Sequence, residues 1–557
     1  MSGAAGPVAG VDELGALPAG EDPAPPSRPA PHPAPPPAAP HQTPHQTSHL
    51  TASLLRGASL TTVGAVVNAA AGFVLVVVIA RALGAGQSGL LFTATALFTL
   101  VAVIGKLGAD TGLVRDLAGR IALGRREDLR RLVLLGAVPV VALTGLLSAG
   151  AFWAAPALAQ LCFAEPSQGG TTLLRVLAVA LPFGALSLVA VAASRGLGDV
   201  VPLVVVENVG KPVLRVALCV AVGVAGGGVV AMGWAWSVPV LVGCAAAVLL
   251  LARRLAACAA GAGPGAPWRS LAPPFWRFSS LRGVASALDV ANVTAGTLLV
   301  SALVGPVEAA VLAGAMRFAQ AGTLGLQALR LVIAPQISRL LAHSRYDEVQ
   351  RLHQTTTLLA VLVTGPAYVL LALHAETALA LLGADFAVGA PALQVLCVAM
   401  LVNLVTGNVQ VVLLMSGRSG TTVVVVGACL GLNLALGLAL VPRYGALGGA
   451  LAWGAAVAVE NLVYQAVVRR RLGIRTSNRP LGLACVLVLG CFLLPGLLGP
   501  VVLGQGWQAS LAVIACSCAV YVVLARRYRR TFGSAELLAA VRGRRDPDAP
   551  LTTDPPD

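Results

Sequence analysis

The sequence predicts an all-α polytopic membrane protein of fourteen transmembrane helices, arranged as two parallel-repeat six-helix bundles followed by two C-terminal helices. Three observations lead there. Of the 557 residues, 57% are hydrophobic and only 11% charged, with a mean hydropathy of +0.84. Soluble domains carry about 25% charged residues, so a water-soluble globule is excluded. Apolar runs of about 20 residues recur along the chain, the length a helix needs to cross a bilayer, where a barrel would show alternating segments of about 10. Finally, arginine alternates between the connections in the manner that orients helices in a membrane.

Residues 1–51 are rich in Pro and Ala and read as a disordered cytoplasmic tail. They hold no basic stretch followed by an apolar core, so no cleavable signal peptide is expected there. His41, His45 and His49 recur at a spacing of four, but Pro44 argues against the helix that would gather them around a metal. An N-terminal bundle of six helices occupies 52–251, with spans at 59–80, 88–109, 132–154, 171–193, 201–224 and 227–251. After a cytoplasmic linker at 252–279, a second bundle fills 280–468, with spans at 280–303, 307–333, 354–376, 389–413, 420–440 and 446–468. Two additional helices, 479–499 and 505–526, lie within 469–526, and 527–557 forms a cytoplasmic tail.

The arginines test this division independently. With both termini cytoplasmic, the inner connections and the C-terminal tail hold 27 Arg, and the outer connections hold only Arg81 and Arg443. A span missed or invented midway would destroy that asymmetry. The same placement disposes of the net charge of +15: these cations orient helices and build no nucleic-acid groove, so no nucleic-acid partner is expected. Lysine is confined to Lys106 and Lys211, which with the Ala, Gly and Val excess fits a bacterial chain of high-GC coding bias. The ten Cys are mostly solitary within apolar runs and read as small core hydrophobes.

Shifting the sequence by 220 lays Arg115–Leu132 over Pro335–Leu352 and matches Ala122, Arg125, Arg131 and Leu132 with Ala342, Arg345, Arg351 and Leu352. Spans 1–6 and 7–12 are therefore two copies of one unit. An even number of spans preserves orientation, so the repeat is parallel about an axis along the membrane normal, an architecture of alternating-access transporters.

Seven cations fall within or at the ends of spans: Lys106, Arg175, Lys211, Arg215, Arg282, Arg317 and Arg330. Each costs about 2.5–3.5 kcal/mol at a helix centre on insertion scales, so they should face protein or water. Only Glu207, Asp289, Glu308 and Glu460 share that depth. Glu207, Lys211 and Arg215 stand at i, i+4 and i+8, on one stripe of span 5, with Pro212 expected to bend the helix between them. Arg282 and Asp289 share a face of span 7, and Arg317 lies near the middle of span 8. A hydrated cationic cavity with Lys211, Arg215, Arg317 and Arg282 as phosphate or diphosphate ligands is one reading. In the other, Glu207–Lys211 and Arg282–Asp289 neutralise each other and merely lock helices. Arg215 and Arg317, without an obvious local partner, favour the cavity. Lys106, Arg175, Arg282 and Arg330 lie nearer helix ends, where snorkelling accounts for them. No phosphate-loop motif, no HExxH and no Ser/His/Asp grouping at the outer face occurs, and no cofactor or metal is expected.

Five segments in order along 52–530 resemble a known family. They are Ala80–Gly89 (ARALGAGQSG), Phe275–Phe278 (FWRF), Gly314–Gln320 (GAMRFAQ) before the basic helix that begins at Ala334, Leu381–Phe386 (LLGADF) and Tyr444–Ala452 (YGALGGALA). Together they are similar to polysaccharide-type (oligosaccharide-lipid) flippases of the multidrug/oligosaccharidyl-lipid/polysaccharide exporter superfamily. The chain departs from many relatives after the span 7–8 turn, where they carry an aromatic and it reads Gly305-Pro306-Val307-Glu308.

The resemblance implies movement of a polyprenyl-diphosphate-linked glycan from the inner to the outer leaflet of a bacterial plasma membrane. Its partners would be that lipid, membrane lipids, and a glycan polymerase or glycosyltransferases. A lipid II flippase shares the span number and cationic cavity. A cation-coupled multidrug exporter shares the fold, but span 1 offers only Asn68 and no acid. A membrane enzyme acting on the same lipid would need a sizeable outer loop; the longest, 155–170, holds no Lys or Arg. The protein is therefore read as a transporter and not an enzyme. A scaffold that recruits partners through its tails would have no use for unpaired cations inside spans 5 and 8.

Overall fold

A computed structural model of the chain describes residues 44–165, 167–259, 265–322, 333–334, 336–416, 419–503, 507–528 and 531–532. His41, Arg330, Pro335 and most of both tails lie outside them. Contacts separate Met1–Leu55 from Arg56–Asp557. Within the first unit the described residues, from Pro44 on, are helical.

The described residues form helices and turns, with no strand among them. In chain order the helices are α1 (Pro44–Gly105), α2 (Ala109–Ala122), α3 (Leu129–Trp153), α4 (Ala155–Cys162), α5 (Gln168–Gly196), α6 (Lys211–Val224), α7 (Val229–Ala259), α8 (Trp268–Leu303) and α9 (Pro306–Ala321). They continue with α10 (336–342), α11 (Tyr346–Leu373), α12 (Ala375–Ala380), α13 (Ala390–Thr406), α14 (Val409–Met415), α15 (Ser419–Leu472), α16 (Arg479–Val488), α17 (Leu494–Leu503) and α18 (Trp507–Arg527).

Nine helices among the described residues are long and apolar enough to cross a membrane. Two of them, Thr61–Gly105 and Gly420–Leu472, have 45 and 53 residues. At 1.5 Å per residue these reach about 68 and 80 Å, more than twice the hydrocarbon core of about 30 Å. Each is broken at a glycine of positive φ, Gly84 (70°) and Gly445 (53°), and so folds as two crossings. With the shorter apolar segments at 203–224, α9 and α18, the helices are consistent with fourteen spans.

Two connections expected as loops are helical. The segment 110–131 contains α2, which buries Ala109, Gly112, Leu113 and Leu117. The linker 252–279 is largely the end of α7 and the start of α8, whose Leu271, Phe275 and Ser279 are buried. In both cases Arg marks the connection as polar, while a short apolar stripe docks against a neighbour and stabilises a helix that charge counting misses.

The repeat is written into the backbone. Gly124 (φ 73°) and Ser344 (φ 57°), 220 apart, turn the chain before the third helix of each copy. The N–H of Arg125 donates to the Arg120 carbonyl (2.9 Å), and that of Arg345 to the Leu340 carbonyl (3.0 Å). Both corners also hold the chain that leaves the sixth helix of their own copy. Asp128 accepts the N–H of Ala266 (2.7 Å), and Arg131 donates to the Ala266 carbonyl (2.6 Å). In the second copy Gln350 accepts the N–H of Arg475 (2.7 Å), and His353 Nε2 meets Thr476 Oγ1 (3.1 Å).

In the first copy the core divides into two clusters. One gathers Leu113, Leu117, Leu132, Val206 and Ala247, the other Ile79, Leu91, Phe163, Cys219 and Ala235. Along the fifth span the first cluster holds Val206 and the second Cys219. Lys211 and Arg215 fall in the gap between them. On α7, Gly243 falls in the corresponding gap between Ala235 and Ala247, and Trp236 packs at the edge of the second cluster.

Candidate functional site

The fifth span opens as a π-helical segment, Leu203–Gly210, before the regular α6. Pro212 lacks an N–H, and its ring crowds the carbonyl one turn back; widening the preceding turn relieves both. At Pro212, where a bend is expected, the structure has a π segment just ahead of the proline.

Within this geometry Lys211 Nζ and Glu207 Oε2 form an ion pair at 2.5 Å, with side-chain exposures of 8% and 25%. Gly243 on α7 makes room for the lysine stem, since a Cβ there would lie 2.5 Å from Lys211 Cε. Lys211 is therefore neutralised and packed.

Arg215, one turn on, is held differently. Its Nε–H donates to the Trp236 carbonyl (3.2 Å), and its guanidinium carbon lies 4.1 Å from the centre of the Trp236 ring. Phe98 of α1 supports that ring edge-on, with centroids 5.1 Å apart and planes at 82°. Among the described residues no carboxylate lies within ion-pair distance of Arg215, and its Nη atoms have no hydrogen-bond acceptor. Its Nη donors are left unengaged by the described residues.

In the second copy, Arg317 is exposed on α9 and has no hydrogen bond or ion pair among the described residues. Arg282 is half-buried and Asp289 exposed on α8, and no ion pair joins them. Asp289 instead lies, with Glu460, near the buried Tyr464. The structure therefore pairs Glu207 with Lys211, leaves Arg282 and Asp289 apart, and shows no contact between Arg215 and Arg317. Two of the helix-end cations find local partners: Lys106 pairs with Asp110 at 2.7 Å, and Arg175 lies 5.6 Å from the Phe152 ring centre.

Sequence reasoning missed Trp236, Phe98 and Gly243. Tryptophan in a span is ordinarily assigned to the aromatic belt, and nothing in the sequence marks one that faces a cation on another helix.

A cavity of about 730 Å³ separates α16–α17 from α18. Its lining, which includes Leu483, Leu487, Leu498, Val513, Val520 and Leu524, is almost wholly apolar. The lining residues run from near the start of α16 to α17 on one side and along the length of α18 on the other.

The two copies touch at both ends. On the face with the Arg-rich connections, Gly108 and Gly112 pack on Ser279, and Arg115 lies 4.3 Å from the Phe278 ring centre. On the opposite face Arg81 Nε donates to the Leu381 carbonyl (2.9 Å), the Ala164 N–H donates to the Ser301 carbonyl (3.0 Å), and Gly89 packs on the Pro306 backbone.

This arrangement has known counterparts. The fold is similar to that of the lipid II flippase MurJ in an inward closed conformation, with 12% identity, 86% of this chain and 99% of that one covered, and a TM-score of 0.65. It is also similar to an inward-facing multidrug resistance MATE family transporter of the MOP superfamily (16% identity, 74% and 94% covered, TM-score 0.57). A third likeness is a MOP superfamily transporter from Pyrococcus furiosus described for the reverse polarity of its binding pocket (15% identity, 76% and 96% covered, TM-score 0.52). Among curated proteins, none matches the chain significantly in sequence. Residues 54–341, more than half of the chain, match the family of polysaccharide biosynthesis proteins, and the chain belongs to that family, built on the fold of the flippases and exporters of the MOP superfamily.

Proposed function

We propose that the protein is an alternating-access flippase that moves a polyprenyl-diphosphate-linked oligosaccharide across a bacterial plasma membrane for surface polysaccharide synthesis. Movement runs from the inner, Arg-rich face to the outer one, with both termini cytoplasmic. The observation that carries this reading is Arg215, a guanidinium at mid-span with no carboxylate partner among the described residues and with donors to spare. Such a group suits a diphosphate, whose oxygens match its planar fork. Arg317 supplies a second cation from the other copy. The apolar cavity between α16–α17 and α18 suits the polyprenyl tail, which stays in the membrane while the headgroup changes sides. The copies 52–251 and 280–468 rock as rigid bodies, parting at one face while they close at the other.

The test is a flipping assay in proteoliposomes. It compares a polyprenyl-diphosphate oligosaccharide, lipid II and a cationic dye, for wild type and for Arg215→Ala and Arg317→Ala. Movement of the glycan lipid, lost in both variants, supports the reading. The likeness to MurJ makes lipid II the second substrate to try; its exclusive movement would replace the glycan lipid with the peptidoglycan precursor. Dye movement driven by an ion gradient, or normal flipping by both Ala variants, would overturn the proposal.

A further inference from the structure

The same span holds two cations in two ways. Lys211 is held by a carboxylate, which cancels its charge. Arg215 is held by an indole face and a backbone carbonyl, neither of which carries a formal charge. The negative face of an aromatic ring attracts a guanidinium and offsets part of its desolvation, yet leaves the charge available to an anion. The carbonyl engages only Nε–H, so the paired Nη donors that match a phosphate edge stay unengaged by the described residues. Phe98 packs edge-on against the ring and restrains it, so the guanidinium meets a supported plane.

We infer that Trp236 is the positioning residue of this site: its ring and carbonyl hold the Arg215 guanidinium, still charged, in the orientation that receives the diphosphate of the lipid substrate. The inference rests on the flippase reading and adds the group that makes one cation of the stripe functional and the other structural. Trp236 touches Arg215 and acts through it. Lys211, paired with Glu207, brings no net charge to the site.

The experiment uses the full chain purified in detergent, with geranylgeranyl diphosphate and its uncharged alcohol as probes. Wild type is expected to prefer the diphosphate, and Arg215→Gln to lose that preference. Trp236→Leu should weaken diphosphate binding about tenfold, the order of a cation–π contact out of water, and leave alcohol binding unchanged. Trp236→Phe retains a ring and the backbone carbonyl and should recover most of that loss. Arg215→Lys leaves Trp236 in place but gives up the planar stack. It should fall with Trp236→Leu, and so tests the inference even if Trp236→Leu does not fold.

The outcomes separate the two claims. A wild type without preference for the diphosphate overturns the functional reading and the inference together. A preference lost in Arg215→Gln but intact in Trp236→Leu and Arg215→Lys overturns the inference alone. Equal loss of both probes in Trp236→Leu also overturns it, because general loosening of the helices and not positioning would then be the cause.

Discussion

The carboxylate of Glu308, on the first turn of α9, accepts the backbone N–H of Ala446 at 2.8 Å, 138 residues further along the chain. Ala446 follows the break at Gly445, so its N–H is one of the donors that the restarting helix leaves without a partner. A Cβ on Gly445 would lie 2.5 Å from Glu308 Oε2, so the glycine serves both the positive φ and the approach of the carboxylate. Glu308 thus ties the start of the second copy's second helix to the turn between its fifth and sixth. Glu308→Ala should lower stability by about 1–3 kcal/mol, the cost of an orphaned buried donor. Glu308→Gln, with a carbonyl acceptor in place, should recover most of it. Thermal unfolding in detergent reads both, and equal stability of Glu308→Ala and wild type would refute the role.

The corners at Gly124 and Ser344 share a left-handed backbone, but only one carries the residue suited to it. Ser344→Gly should stabilise the protein by about 0.5–1 kcal/mol, and Gly124→Ala should destabilise it by about 1–2 kcal/mol. Opposite shifts in midpoint temperature check the pair; shifts of the same sign would contradict it.

Contacts between the copies depend on glycines that admit a neighbouring backbone. A Cβ at Gly89 would overlap the Pro306 carbonyl, and one at Gly108 the Ser279 carbonyl. Gly89→Ala should part the face opposite the Arg-rich connections, and Gly108→Ala the Arg-rich face. Cysteines introduced at the fully buried Ser301 and Ser279 report on these two faces. A water-soluble maleimide should gain access to Ser301→Cys in the first background and to Ser279→Cys in the second. Labelling at neither site would show that the glycines do not govern closure.

Removing one member of the Glu207–Lys211 pair leaves a charge without its partner at low exposure. Glu207→Ala should cost about 3–5 kcal/mol, and Glu207→Leu combined with Lys211→Met should recover most of this, because no charge is then stranded. Stability of the two variants decides the point, and a double variant no better than Glu207→Ala would remove the pair from the account.

Composition, periodicity and the alternation of arginine were enough to determine an all-helical membrane fold, its repeat and the cations at mid-span. Each of these is a property of single helices or of spacing along the chain. The same spacing could not decide which cations stay charged. Glu207 and Lys211, four apart, meet across one turn. Arg282 and Asp289, seven apart, share a face but stand about 10 Å apart along the axis and form no ion pair. Arg215 is defined by Trp236 on the next helix and Phe98 three spans before, and Glu308 by an amide in the other half of its copy. Those partners come together only when helices pack. Tertiary structure therefore decides that Arg215, unlike the locally paired Lys211, is held against a ring.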